Sequence, residues 1–244
     1  MYVVHLFHAA HITQTIEGTR RVLDLACGPA TQLLLTAQYH PDTEFVGVDL
    51  SAGMLDAARA RARELGLRNV SFREMDITDL SGIVPGEFDA TTSTMALHHL
   101  PSLDHLNRCF TQIASVLPEA GKVYLGDLLR LKRRRTVEFM AANSADNQPK
   151  VFNDDFRNSM LAAFTKQDFE TLRQRYLPQC KAYSARPLTL FNVIKTESLP
   201  LSAARRAVFV AARDRLSPRL RSDLDDLRMF FRLGGLMPDP FAAS

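Results

Sequence analysis

Three acids stand at the ends of apolar runs: Asp24 in "RVLDLACGPATQ", Asp49 in "TEFVGVDL" and Asp76 in "REMDI". A carboxylate in such a place can take both hydroxyls of a ribose in a bidentate hydrogen bond, or accept from an adenine amino group. Asp49 suits the first task and Asp76 the second. Gly28 follows the first acid and can bring bare backbone against a ligand at positive φ. The helical pattern that begins after it turns unpaired N–H groups toward any anionic group. His98 and His99 follow a fourth apolar run. An unperturbed imidazole titrates near neutrality, so either ring can act as a general base; otherwise one ring stacks in a wall and the other faces solvent. A dinucleotide, a nucleotide phosphate and S-adenosylmethionine are the candidate ligands at this point.

These residues need a scaffold, and the pattern supplies one. "RVLDLA", "TEFVGVDL", "NVSFREMDI", "EFDATTSTMAL" and "KVYLGDLL" read as strands. Continuous apolar runs of this kind suit parallel strands buried on both faces. Helical patterns lie between them. Ser51 caps one that carries Leu55, Ala58, Ala62 and Leu65 and stops at Gly66; Ser102 caps another with Leu106, Cys109, Ile113 and Leu117 on one stripe. The order predicts an α/β fold, a mostly parallel sheet with helices on both faces. Residues 131–148 depart from it, basic and then polar, the composition of a mobile connection. Two short helices are expected next, the second opened by Thr165 and Asp168 as a capping box. Two strands joined near Arg186-Pro187 follow, and two amphipathic helices fill residues 198–244.

The chain has 244 residues and a net charge of +3, with 30 Lys and Arg against 27 Asp and Glu. That balance argues against nucleic acid as a partner. Cys27, Cys109 and Cys180 are far apart, form no metal-ligand pair, and are expected as buried free thiols in a reducing compartment. The N-terminus lacks a basic start and a cleavage site, and no apolar run is long enough to span a bilayer. A cytoplasmic protein without membrane partners is expected.

The turn "GPATQL" lacks the second and third glycines of a dinucleotide fingerprint, and no G-K-[ST] ends it as in a P-loop. Three stations remain, for a ribose, an adenine and an amino-acid tail, with no diphosphate to cradle. Here the sequence resembles the class I S-adenosylmethionine-dependent methyltransferases, and most of all the small-molecule branch that includes the ubiquinone and menaquinone biosynthesis enzymes. The carrying segments are "VLDLACGPATQ", "FVGVDLSAGMLDAARA", "FREMDITDL" and "FDATTSTMALHHL". The resemblance covers residues 20–195. It implies a Rossmann-like sheet closed by an antiparallel strand, S-adenosyl-L-methionine as cofactor, and a small-molecule acceptor at O, N or C. Carried over by position, Asp24, Ala26 and Gly28 would frame the methionine end and Asp49 would hold the ribose. Leu50 and Met54 would pack beside the adenine, Asp76 would touch its amino group, and Ile77 would lend backbone. The family usually has glycine at Ala26 and Ala30. Since Ala26 ends a strand and Ala30 begins a helix, neither is expected at positive φ.

The remaining signals have blander readings. His5, His8 and His11 are expected on a helix that packs its face over the cofactor mouth rather than as a metal site, and no metal is expected anywhere. Lys132 to Arg135 reads as a solvated loop, and Phe152, Phe156, Met160 and Phe164 as core more than pocket. The expected division is a methyltransferase domain over residues 1–197, with an N-terminal helix in 1–19 and a variable substrate segment in 131–165, then a helical extension over 198–244. That extension is expected to dock on its own domain or to join a homodimer, more than to form a lid. An RNA or protein methyltransferase, or a non-catalytic accessory subunit of the same fold, stands as the alternative function.

Overall fold

Val22, Leu23, Asp24 and Leu25 are all buried, as a strand covered on both sides must be. A computed structural model describes residues 2–145 and 150–242, with side chains for all of these except 143–145 and 150–152. Five strands run parallel: β1 (Arg21–Leu25), β2 (Glu44–Asp49), β3 (Val70–Glu74), β4 (Ala90–Thr94) and β5 (Lys122–Leu128). Beyond β5 lies the antiparallel β7 (Phe191–Thr196), which pairs in turn with β6 (Cys180–Ser184). The seven-stranded sheet has the order β3-β2-β1-β4-β5-β7-β6. The chain steps outward from β1 to β3 and then returns to the other side of β1. That reversal opens a crevice at the carboxyl ends of the strands, the usual ligand position in such sheets.

Helices cover both faces: α1 (Tyr2–Thr15), α2 (Thr31–Gln38), α3 (Ala52–Glu64), α4 (Leu103–Val116), α5 (Arg134–Ala145), α6 (Lys150–Ala162), α7 (Lys166–Tyr176), α8 (Ala203–Asp214) and α9 (Pro218–Leu233). A single 3₁₀ turn spans Leu97–His99. Side chains alternate across the pleat. Val22 and Phe45 point to a core built with α1, α2, α8 and α9. Leu23, Leu25, Val46 and Val48 point to the opposite core, filled by Leu106, Phe110, Phe169 and Leu172 of α4 and α7.

The expected caps form. The hydroxyls of Ser51, Ser102 and Ser217 each accept from a backbone N–H of the following turn, and Thr165 and Asp168 make the reciprocal capping box. One expectation fails. Residues 131–148 were read as a mobile connection, but α5 occupies Arg134–Ala145; residues 146–149 lie outside the described part. Arg, Glu, Met and Ala are good helix formers, and Val137 and Ala141, one turn apart, bury the inner face. Lys132 to Arg135 are exposed, as a solvated run should be. Met160 and Phe164 are core residues and Phe156 packs at a core edge; the side chain of Phe152 lies outside the described part.

The extension packs on its own chain. Phe231 of α9 stacks on Phe7 of α1, with ring centroids 4.8 Å apart, and Gln14 Nε2 donates to the carbonyl of Pro238. The backbone N–H of Arg186 donates to the carbonyl of Phe230. α9 therefore backs α1 against the sheet, on the side away from the crevice.

Candidate functional site

The crevice is a cleft of about 960 Å³ lined from the carboxyl ends of β1 to β4, with Tyr2 and His5 of α1 and Thr31 and Gln32 of α2 on one wall. Its floor is laced by backbone. The N–H of Cys27 donates to the Val48 carbonyl at 3.0 Å, and that of Ala30 to the Cys27 carbonyl at 2.9 Å. Asp49 ties the two turns together: Oδ2 accepts from the Gly28 N–H at 2.8 Å and Oδ1 from the Ser51 N–H at 2.9 Å. A Cβ at Gly28 would meet no atom within 4 Å, so its backbone faces open space.

The turn between β1 and α2 corrects a sequence expectation. Ala26 has φ 50° and Ala30 φ 58°, with Gly28 between them at 53°. The five residues between strand and helix, 26–30, take left-handed backbone at alternate positions. An L-residue there costs about 1–2 kcal/mol, which a glycine would avoid. The departure from glycine thus stores strain in the turn. Met95, with φ 53°, is the third such residue among those described, and it too lines the cleft.

Each acid has a distinct setting. Asp24 is buried and accepts from the Thr92 hydroxyl at 2.6 Å. Burial pushes its carboxyl up to about 7; the Thr92 hydrogen bond opposes this, and the nearby charge of Asp49 adds to it. Asp76 accepts from the Thr78 N–H at 2.8 Å. Leu50 and Met54 are apolar yet 70% and 48% exposed, and they line the cleft, whereas Ile77 is buried at its edge. Cys27 also lines the cleft rather than being fully buried, and burial raises its thiol well above the ordinary range.

The structure brings Asp24, Ala26, Gly28, Asp49, Leu50, Met54, Asp76, Ile77 and His99 to this one cleft. His98 does not join them: its ring is 3% exposed and is held by Asp127. The histidine face of α1 is likewise divided. His5 reaches the cleft wall, where Nδ1 donates to Gln32 Oε1 at 3.0 Å, while His8 lies beneath, with Nδ1 2.8 Å from the Tyr124 hydroxyl. Sequence reasoning missed Tyr2, Gln32, Thr92 and Asp127. Only Asp127 carried a signal, being one more acid at the end of an apolar run.

The donor set selects a ligand class. Three carboxylates line the cleft and no described lysine or arginine does. A diphosphate would meet repulsion there, whereas a cationic sulfonium ligand bearing an ammonium group, with a ribose and an adenine, fits. Residues 22–121 match the family described as "Methyltransferase domain". The chain is 32% identical over 183 residues to a ubiquinone biosynthesis O-methyltransferase from Dechloromonas aromatica, an overlap that covers 72% of this chain and 76% of that protein. The chain belongs to the class I S-adenosylmethionine-dependent methyltransferases. The methyltransferase spans much less of another relative, 25% of a Synechococcus protein to which it is 31% identical over 109 residues. Its fold matches the crystal structure of a SAM-dependent methyltransferase from Aquifex aeolicus with a TM-score of 0.57 at 12% identity, covering 80% of this chain and 92% of that one. S-adenosyl-L-methionine is its cofactor. No helix among the described residues is long and apolar enough to cross a membrane.

Proposed function

We propose that this methyltransferase acts on a small molecule, at an O, N or C nucleophile, by in-line transfer. The reading is carried by the cleft itself, walled on both sides and lacking any described cation of the kind that nucleic acid phosphates require. The resemblance to a ubiquinone biosynthesis enzyme supports it. In this proposal the Asp49 carboxylate, preset by the Gly28 and Ser51 N–H groups, takes the ribose hydroxyls. Leu50, Met54 and Ile77 flank the adenine, and Asp76 accepts from its amino group. Asp24, Ala26 and Gly28 frame the methionine end, where an ammonium group would draw Asp24 into its charged form. S-adenosylmethionine supplies, when bound, a methyl group on a sulfonium that carries its own driving force, so the protein contributes mainly alignment. His99 stands on the acceptor wall as the base; burial lowers its proton affinity and keeps the ring neutral near pH 7. Residues 1–197 form the catalytic part and residues 198–244 support it from behind. The cytosol, where Cys27, Cys109 and Cys180 stay reduced, is the proposed site of action.

The test is to incubate the protein with methyl-labelled S-adenosylmethionine and a cell extract and to separate small molecules from precipitated macromolecules. Label in the small-molecule fraction is expected; label confined to RNA or protein would overturn the proposal. Within it, Asp49→Ala should weaken cofactor binding by on the order of 2–3 kcal/mol, read by calorimetry, with the fold retained. Equal affinity in the two proteins would remove Asp49 from the ribose.

A further inference from the structure

With His99 at the cleft, His98 and Asp127 have no direct task, yet they form a tightly bound polar pair just behind it. Each is 3% exposed. Asp127, at the end of β5, accepts three hydrogen bonds: from His98 Nδ1 at 2.5 Å, from the His98 backbone N–H at 3.1 Å, and from its neighbour's N–H, Leu128, at 2.7 Å. A carboxylate only accepts, so the proton of a neutral His98 ring sits on Nδ1. The turn after β4 is anchored to β5 once more, where the Met95 N–H donates to the Gly126 carbonyl at 2.8 Å and holds Met95 in its left-handed conformation. β5 thus grips this turn at two successive residues. The His98 ring fixed in this way lies against the His99 ring, with centroids 4.0 Å apart and planes inclined by 42°. His99 is the neighbour that lines the cleft.

We infer that Asp127 is a positioning residue for methyl transfer: it locks the His98 ring, and that ring sets the orientation of His99 on the acceptor wall, with neither Asp127 nor His98 touching the acceptor. The inference rests on the reading of His99 as the base. The groups that act on His99 are His98 beside it, Asp127 of β5, and Asp155 of α6, which packs on the same turn. Burial and His98 disfavour the protonated His99 ring, whereas Asp127 and Asp155 favour it. Neutralising Asp127 should therefore move the titration of His99 to lower pH.

The experiment compares wild type, Asp127→Asn and His98→Asn. Asparagine at 98 keeps an N–H for Asp127, so the anion stays satisfied while the ring is removed. The His99 Cε1–H resonance is followed against pH in the cofactor-free protein, and kcat and cofactor Kd are measured with the acceptor recovered by labelling. Positioning is supported if both variants shift the His99 titration, downward for Asp127→Asn, and lower kcat roughly tenfold to a hundredfold with Kd unchanged. It is overturned if the titration is the same in all three proteins, if kcat in both variants is that of wild type, or if kcat falls only along with cofactor binding. Should Asp127→Asn not fold, His98→Asn alone decides by the same criteria. A His99→Ala enzyme with full kcat would instead remove the base on which the inference rests, an outcome distinct from any result of the other two variants.

Discussion

Asp24 is neutral or charged according to what stands in front of it. In the folded chain it keeps its proton up to about pH 7, against 3.8 for the free group. Between those values the folded state binds more protons than the unfolded one. Its contribution to stability is therefore full below about pH 3.8, falls as pH rises through about 7, and is constant above. Asp24→Asn accepts the Thr92 hydrogen bond equally well and never ionises. The advantage of the variant over wild type should grow between about pH 5 and about pH 8, as read by chemical denaturation; an equal difference at both would show that Asp24 is solvated. The three cleft acids were legible because each closes an apolar run at a strand end. The backbone of Ala26 and Ala30 was not, since the number of residues between β1 and α2 sets their φ and residue type does not report it. Nor could sequence order show which of two adjacent histidines faces the cleft; the grip of Asp127 on His98 decides that, across 29 residues of chain.

At the scale of elements, the strands and most helices were written in their periodicity and caps. α5 was hidden because its charged start mimics a loop, and its apolar stripe gains meaning only with α6 beside it. α1 shows the opposite difficulty. It is so deeply covered that its apolar and histidine residues point all round, and no stripe marks the cleft side. Its partner α9 makes the cover. Phe231 is 1% exposed against Phe7, so Phe231→Ala should cost about 3–5 kcal/mol, measured by denaturant titration. Because α1 carries Tyr2 and His5 to the cleft wall, the same variant should also weaken cofactor binding although the ring lies far from it. A loss below about 1 kcal/mol would mean that α1 is held by the sheet alone.

For the whole molecule, the extension and the first helix share a single core, with Leu224, Leu227 and Phe231 packed among Phe7 and Ala10. A chain ending at Glu197 would leave that face of α1 open. It should still bind cofactor, because no described residue beyond 197 lines the cleft, but no more tightly than Phe231→Ala does, and it should be less stable than that variant or associate to cover the bare face; calorimetry and sedimentation would show both. A truncated chain as stable as the full one and unchanged in its state of association would refute the shared core. Gln14 and Pro238, which touch in the finished structure, are 224 positions apart. Synthesis runs in one direction, so α1 leaves the ribosome before α9 is made. Throughout that interval the face that Phe7 turns toward Phe231 has no cover. Contacts of such separation also carry the largest loop-closure cost and form slowly. Until α9 closes, the nascent chain is thus open to association and to chaperones at that face of α1, and the closing of α9 over it is the event that ends that exposure.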